Sequence, residues 1–337
     1  GGEDIAHALC LMGVRPTWDH ASTRVTGFEI IPLPLLDRPR IDVTVRVSGA
    51  FRDTFPDQIA LLDQAARAVA GLDEDDAWNA LAAARRRGEP LARVFGGAPG
   101  SYGAGVAGPA LDGDWASRRD LGRAYLAGTS HSFGAGGSAE ADPSFPDRVA
   151  EADAFVHVTD VAERDILDGD AAADAIGGFA AAADALGAAP ALYSLDASRP
   201  DAPKARALAE DIARLVRGRL AHPRWIAAQL RHGWRGAAEL AQGVDALFVY
   251  AATTRVVTDA QFDAVFAALL GDDATRERLS AANPAAAAAI RDRLEDARRR
   301  GLWRSRLNSA VAYFGEPDPP REAAHGVEPD RLPEAAE

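Results

Sequence analysis

The amino-acid sequence predicts an α/β fold: a mixed sheet with flanking helices, a helical C-terminal region and a disordered acidic tail. Three observations predict it. Residues 40–49 alternate apolar and polar side chains at the period of a strand. Between 154 and 252, strand-like apolar runs alternate with helix-length stretches. From 258 to 301 the pattern is helical only. The chain divides on these grounds into an α/β region over 1–145 that carries a glycine-rich loop at 93–106, a second α/β region over 146–314 with a helical end, and a tail over 315–337.

In chain order, a helix is expected almost at the first residue, in "GGEDIAHALCLMG". In "RIDVTVRVSG", Ile41, Val43, Val45 and Val47 face one way while Asp42, Thr44, Arg46 and Ser48 face the other, as in a half-buried strand. "FRDTFP" reads as a loop, followed by a helix over 57–72 with apolar positions Ile59, Leu62, Ala66 and Val69 and a stop at Gly71. A further helix is expected from Glu74 to Arg87, halted by Gly88 and Pro90, and another near 115–127. Residues 134–146 are rich in turn formers and read as a mobile loop or domain junction. Strands follow at 154–160, 190–196 and 245–252, with helices near 170–187, 203–219 and 223–242 between them. Asn283-Pro284 breaks and restarts a helix. The tail from Gly315 is proline-rich, acidic and poor in core residues, a composition that does not sustain a packed structure.

Composition excludes several functions. No apolar run of ~18 residues free of charge is present to span a bilayer. The start lacks the basic region of a signal peptide and reads as the interior of a longer protein. Cys10 is the sole cysteine, so no internal disulfide or cysteine-rich zinc site can form, and a reducing cytoplasm fits. A net charge of -13 argues against a nucleic-acid backbone as partner. Lys204 is the only lysine; every other basic residue is arginine, which grips carboxylates bidentately.

In "VFGGAPGSYGAGVAGP" (94–109), Gly103, Gly105 and Gly108 spell G-x-G-x-x-G. No lysine lies within reach, so this is not a P-loop. A dinucleotide fingerprint needs a strand before it, a helix after it and an acid at the end of the next strand. Here Pro109 follows the third glycine, and Asp112 and Asp114 come too soon. Two readings remain: a loop that needs positive φ at several positions, or a surface whose amides approach a large flat or anionic ligand.

Three other segments carry groups capable of chemistry. In "HPRWIAAQLRHGWRGAAELAQ" (222–242), Trp225, Gln229, His232, Gly236 and Glu239 share a face if the helix is continuous. Gly233 and Gly236 cost a helix ~1 kcal/mol each relative to alanine, which signals close approach by backbone or ligand. His232 suits a metal ligand or base, and Arg235 a carboxylate clamp. The alternative is a kinked helix with a satisfied histidine. "DVAERDILDGD" (160–170) sets Glu163 and Asp165 among other acids after a strand end, where α/β sheets gather ligands, or where acids merely cap the next helix. His131 falls in the mobile loop region, whereas His157 alternates within a strand as a structural residue.

Taken in order, "RIDVTVRVSGAFRDTFP", "RVFGGAPGSYGAGV", "YLAGTSHSFG", "AFVHVTDVAERDILDGD", "HPRWIAAQLRHGWRGAAELAQGVDALFVYAATT" and "NPAAAAAIRDRLEDARRRGLW" resemble the large subunit of aerobic cobaltochelatase, the CobN-like family related to the magnesium chelatase large subunit. The resemblance runs over residues 1 to about 310. Family members are several times longer, so it implies the C-terminal portion of such a subunit. It departs at Gly169 and Ala171–Ala173, which bears on the acidic loop.

The resemblance implies insertion of Co2+, as substrate metal, into hydrogenobyrinic acid a,c-diamide. ATP, with its Mg2+, would be hydrolysed by partners: an AAA+ ATPase subunit and a second small chelatase subunit. On that reading His232 serves metal delivery or proton transfer, with Glu163 or Asp165 as carboxylate partner and Glu239 beside His232 as a metal ligand. Arg46, Arg52 and Arg235 receive substrate carboxylates. Gly100, Tyr102 and Gly103 of the glycine loop meet the ring face, and His131 closes over it. The competing readings are magnesium insertion into protoporphyrin IX, and a non-catalytic module that docks the ATPase partner through its acidic surface and long C-terminal helices.

Overall fold

The computed structural model describes residues 2–22, 24–134 and 140–315. The tail expected to be disordered and the middle of the turn-rich 134–146 stretch lie outside the described residues. Among these, no helix is long and apolar enough to cross a membrane.

The chain opens with α1 (Gly2–Met12) and a hairpin of β1 (Val14–Asp19) and β2 (Arg24–Ile30), which sequence patterning did not isolate. After α2 (Leu33–Leu36) come β3 (Val45–Val47), α3 (Gly49–Thr54), α4 (Pro56–Ala70), α5 (Ala80–Arg86) and β4 (Val94–Gly96). The glycine loop leads into α6 (Ala107–Asp112) and α7 (Arg118–Thr129), then β5 (His131–Ser132), β6 (Glu140–Ala141) and α8 (Phe145–Ala150). A second α/β unit runs through β7 (Ala154–Thr159), α9 (Asp170–Ala185), β8 (Ala191–Asp196), β9 (Lys204–Ala207) and α10 (Leu208–Leu215). Helices α11 (Pro223–Gln229), α12 (Gly233–Thr253), α13 (Asp259–Phe266), α14 (Asp273–Ala282), α15 (Pro284–Arg299) and α16 (Asn308–Phe314) complete it.

The fold is α/β, with three sheets rather than one. Besides the hairpin, one sheet has the order β3-β4-β5-β6 and another β7-β8-β9. In each larger sheet the first pair is parallel and the remaining pairs are antiparallel. Both β3 and β7 are therefore edge strands. One hydrophobic cluster joins α1, α4 and β3; the other joins α7, α9, α12 and α15.

Several expectations are corrected. Only Val45–Val47 of the 40–49 stretch pairs as strand, because Arg40 turns inward to meet Glu74 at 2.7 Å and bridges Asn79 instead. "FRDTFP" lies within α3 and the first turn of α4, since the Ser48 hydroxyl caps the N–H of Phe51 at 3.1 Å. The helix expected from Glu74 starts at Ala80, where the buried Asn79 side chain caps Ala82 at 2.9 Å. The helix expected near 115–127 is α7, whose start is set three residues later by a Ser117/Asp120 capping box. Residues 204–207 pair as β9 instead of starting a helix. "DALFVYAA" (245–252) is the buried end of α12, not a strand: an apolar run buried on all sides carries no period that separates the two. The strands at 154–159 and 191–196, the helix over 170–185 and the restart at Asn283 agree with the sequence reading.

Candidate functional site

The facing edges of β3 and β7 border a cleft of about 1760 Å3, floored by α8 and α9. Consecutive residues of both strands line it, as expected where a strand edge, not a face, meets open space. Ile41 and Val156 stay half-exposed there. Small-molecule sites are typically concave, largely apolar and set with few polar groups, and this cleft has that character.

The arginines on its walls are mostly neutralised. Arg40 meets Glu74 at 2.7 Å, and Arg148 reaches Asp42 at 3.0 Å, a carboxylate that Arg93, behind the wall, also holds at 2.6 Å. Arg46 differs: among the described residues no carboxylate lies within ion-pairing distance of it, and its Nε is buried without a hydrogen-bond partner. Its charge acts on two neighbours in the cleft, His157 of β7 and the buried Tyr125 of α7. Burial first, and Arg46 second, push the His157 imidazole down to about 4, so it is neutral at physiological pH. Burial pushes the Tyr125 hydroxyl up to about 12. The His157 side chain makes no hydrogen bond among the described residues. It is a strand residue, as the sequence reading has it, and it also lines the cleft.

The acidic loop between β7 and α9 closes one end of the cleft. Asp165 ion-pairs with Arg219 and accepts the N–H of Leu167 at 2.8 Å, while Asp168 lies 3.5 Å from Arg219. Arg219 in turn sits 4.8 Å over the Trp225 ring, so the acidic loop and the start of the 222–242 segment are neighbours. Glu163 is exposed and lies outside the cleft lining. Asp168 and Asp245 of α12 line the cleft, and burial raises the pKa of each, although Arg219 opposes the shift at Asp168 and Arg293, at 2.7 Å, opposes it at Asp245. Asp245 is hidden to sequence reasoning inside a run that looks like a strand.

The glycine loop has a different occupation. Asp174 of α9, buried, accepts the N–H groups of Val106 and Ala107 at 2.8 Å each, and also that of Ala104. From the other side Arg52, buried, donates to the carbonyls of Gly97 at 2.9 Å and Ala98 at 2.8 Å, and pairs with Asp53 at 2.8 Å. Tyr102 is exposed, 5.9 Å from that guanidinium, and hydrogen-bonds Asp53. Gly100 takes φ 83°, and a Cβ on Gly103 would come within 3.1 Å of Asp174. The loop is thus a nest of amides whose anion is its own Asp174. Arg52, Gly100, Tyr102 and Gly103 form one cluster, outside the cleft lining. Arg52 is bound to carbonyls and Asp53, whereas Arg46 has no such partner among the described residues.

His232 and Glu239 do not share one continuous helix. Residues 230–232 form a 3-10 turn, and Gly233, the first residue of α12, adopts φ 57°, ψ -128°, a conformation open to glycine alone. His232 is exposed and Glu239 is tied to Arg235 at 3.2 Å. Gly236 is where the two helices touch: a Cβ there would lie 1.9 Å from the Gln229 carbonyl oxygen. The glycines therefore serve backbone approach. His131 lies in β5, paired with Ala141, not in a loop, and its Nδ1 is buried without a partner. Among the described residues no three of His, Cys, Asp or Glu gather to hold a metal ion.

Comparison with known proteins gives the family and the fold. The family model described as CobN/Magnesium Chelatase matches residues 1–309. The chain is 46% identical over 329 residues to aerobic cobaltochelatase subunit CobN of Sinorhizobium sp, covering 92% of this chain and 26% of that protein. It is 43% identical to the protein of that name in Pseudomonas aeruginosa, covering 90% of this chain and 26% of that protein. Identity to the chloroplastic magnesium-chelatase subunit ChlH of Oryza sativa subsp. indica is 31%, over 90% of this chain and 23% of the relative. Among solved structures, the catalytic subunit of cobaltochelatase from Mycobacterium tuberculosis superposes with a TM-score of 0.87 at 37% identity, over 93% of this chain and 28% of that one. The chain spans about a quarter of the length of these relatives.

Proposed function

The chain belongs to the CobN/magnesium chelatase family, and from that premise we propose that it is part of the large subunit of an ATP-dependent chelatase that inserts Co2+ into hydrogenobyrinic acid a,c-diamide. ATP is hydrolysed by partner subunits, an AAA+ ATPase and a second small subunit. Cobalt is favoured over magnesium by the names and the higher identity of the cobaltochelatase relatives.

The observation that carries the reading is Arg46, a cation without a carboxylate on the wall of a cleft large enough for a macrocycle. A ring that bears carboxylates supplies the missing anion, and a guanidinium takes it with two parallel N–H donors. The apolar β7 edge at Val156 receives the ring body. Metal insertion requires that protons leave the ring nitrogens. Asp168 and Asp245, whose pKa values burial raises, are the proton acceptors at the closed end, and the neutral His157 imidazole stands opposite Arg46 as a nitrogen donor or relay. These groups replace the His232, Glu163 and Glu239 set as the core of the proposal.

The test is a titration of the complete subunit with hydrogenobyrinic acid a,c-diamide and with protoporphyrin IX, followed by tryptophan quenching. Tighter binding of the first supports the cobalt reading. Preference for protoporphyrin moves the chain to magnesium insertion, and binding of neither rejects the chelatase reading.

A further inference from the structure

The 229–236 segment, with its exposed aromatic and its arginines, takes no part in the cleft. Trp234 is 68% exposed, and the Arg235 side chain is 85% exposed. Arg231, in the 3-10 turn, is exposed and has no carboxylate within ion-pairing distance among the described residues; Arg224, in the first turn of α11, is exposed too. His232 is exposed between them. Glu239 is already paired with Arg235. On a chain of net charge -13, this is a local excess of positive charge around an indole.

The backbone beneath is rigid. Asn283, which caps α15, donates from Nδ2 to the Trp234 carbonyl at 3.1 Å. Gly236 packs directly on the end of α11, and the Gly233 turn admits no side chain without strain. A large apolar side chain held out to solvent on a fixed knuckle loses little freedom on contact, which favours binding. Side chains this exposed line no concavity, so the site suits a macromolecular face and not a small molecule. Trp and Arg dominate the energetics of such faces, and charge complementarity orients the approach.

We propose that the Trp234 knuckle is the docking point for a partner subunit that presents an acidic surface with an apolar notch for the indole. This rests on the chelatase reading, which supplies the partners. The net acidity of the chain disfavours approach by such a surface in general, and the arginines of this patch offset it locally.

The experiment uses the complete large subunit, with Trp234→Ala and separately Arg231→Glu, neither of which disturbs a buried contact. Association with the purified ATPase subunit and with the second small subunit is measured by sedimentation at low and high salt. Tetrapyrrole affinity is measured in parallel, and Trp234 accessibility by oxidative footprinting with and without partners. The proposal predicts that each variant loses about tenfold or more in affinity for one partner, that the Arg231→Glu loss shrinks at high salt, and that tetrapyrrole affinity is unchanged. Trp234 should become protected only when the partner is added. Wild-type association of both variants overturns the proposal. So does protection of Trp234 in the subunit alone, which would mean that the subunit itself covers it, and so does weakened tetrapyrrole binding. A wild-type subunit that binds the tetrapyrrole but neither partner defeats the docking inference alone; one that binds none of them defeats the chelatase reading and the inference together.

Discussion

Asp174 and Val106 are joined at 2.8 Å, carboxylate oxygen to backbone N–H, across 68 residues of chain. That contact, with its companions at Ala107 and Ala104, turns a glycine-rich loop that reads like a phosphate cradle into a closed structural clasp. A carboxylate that accepts several amides in a buried setting leaves those donors unsatisfied when it is removed. Asp174→Ala should therefore cost about 3–5 kcal/mol in urea unfolding, and amide exchange across 104–107 should accelerate. Asp174→Asn keeps an acceptor oxygen and should lose about half as much. Phosphate or nucleotide should protect neither variant.

Arg46 and Arg52 separate structural from ligand-directed arginines. Arg52→Gln strips donors from the Gly97 and Ala98 carbonyls and should lower stability by about 2–4 kcal/mol. Arg46→Gln removes a charge without a partner, so the unfolding midpoint should stay level or rise. Tetrapyrrole affinity should fall by about 10–100-fold, the range of one charged hydrogen-bonded contact. The two variants thus move opposite observables, and calorimetry with fluorescence titration reads both.

His157 gives a pH signature. Its folded pKa, about 4, lies below the ordinary histidine value, so the unfolded chain binds the proton first as pH falls. The stability it contributes is complete above about 6.5 and is lost as pH drops through about 4. His157→Gln should flatten that part of the stability-versus-pH curve. Because Arg46 is the second cause of the shift, Arg46→Gln should raise the His157 pKa, which imidazole NMR resonances report directly.

Two glycines predict contrasting costs. An alanine at Gly236 would drive Cβ into the Gln229 carbonyl and should destabilise by about 3 kcal/mol, or separate α11 from α12. At Gly218 nothing stands within 4 Å of the added methyl, and the change should stay within about 0.5 kcal/mol or stabilise slightly. Thermal unfolding of the pair distinguishes close packing from mere helix propensity.

The particular residues explain what can be read from sequence. Val45, Val47 and the β7 and β8 runs carry local periodicity, and Asn283-Pro284 carries a local cap, so those elements are visible. The 245–252 run reads falsely as a strand because burial on every side erases the period that tells helix from strand. The β1–β2 hairpin has interrupted alternation and a bulge at Thr17/Trp18, which blurs its signal. At the site, Arg46 and the acidic loop are legible as chemistry. Their meeting with His157 across two sheet edges is not, since no local spacing encodes which edges face each other. Asp174 looks like one more acid in an alanine-rich helix; only the tertiary fold brings it under the glycine loop.

The most direct trial is cobalt insertion by the complete subunit with its partners and ATP, followed by the visible spectrum of the macrocycle. The account predicts that wild type converts hydrogenobyrinic acid a,c-diamide, that Arg46→Gln loses turnover chiefly through a raised KM, and that Asp245→Asn loses it chiefly through kcat. Insertion by both variants at the wild-type kcat and KM would contradict a reaction centred on the cleft between β3 and β7.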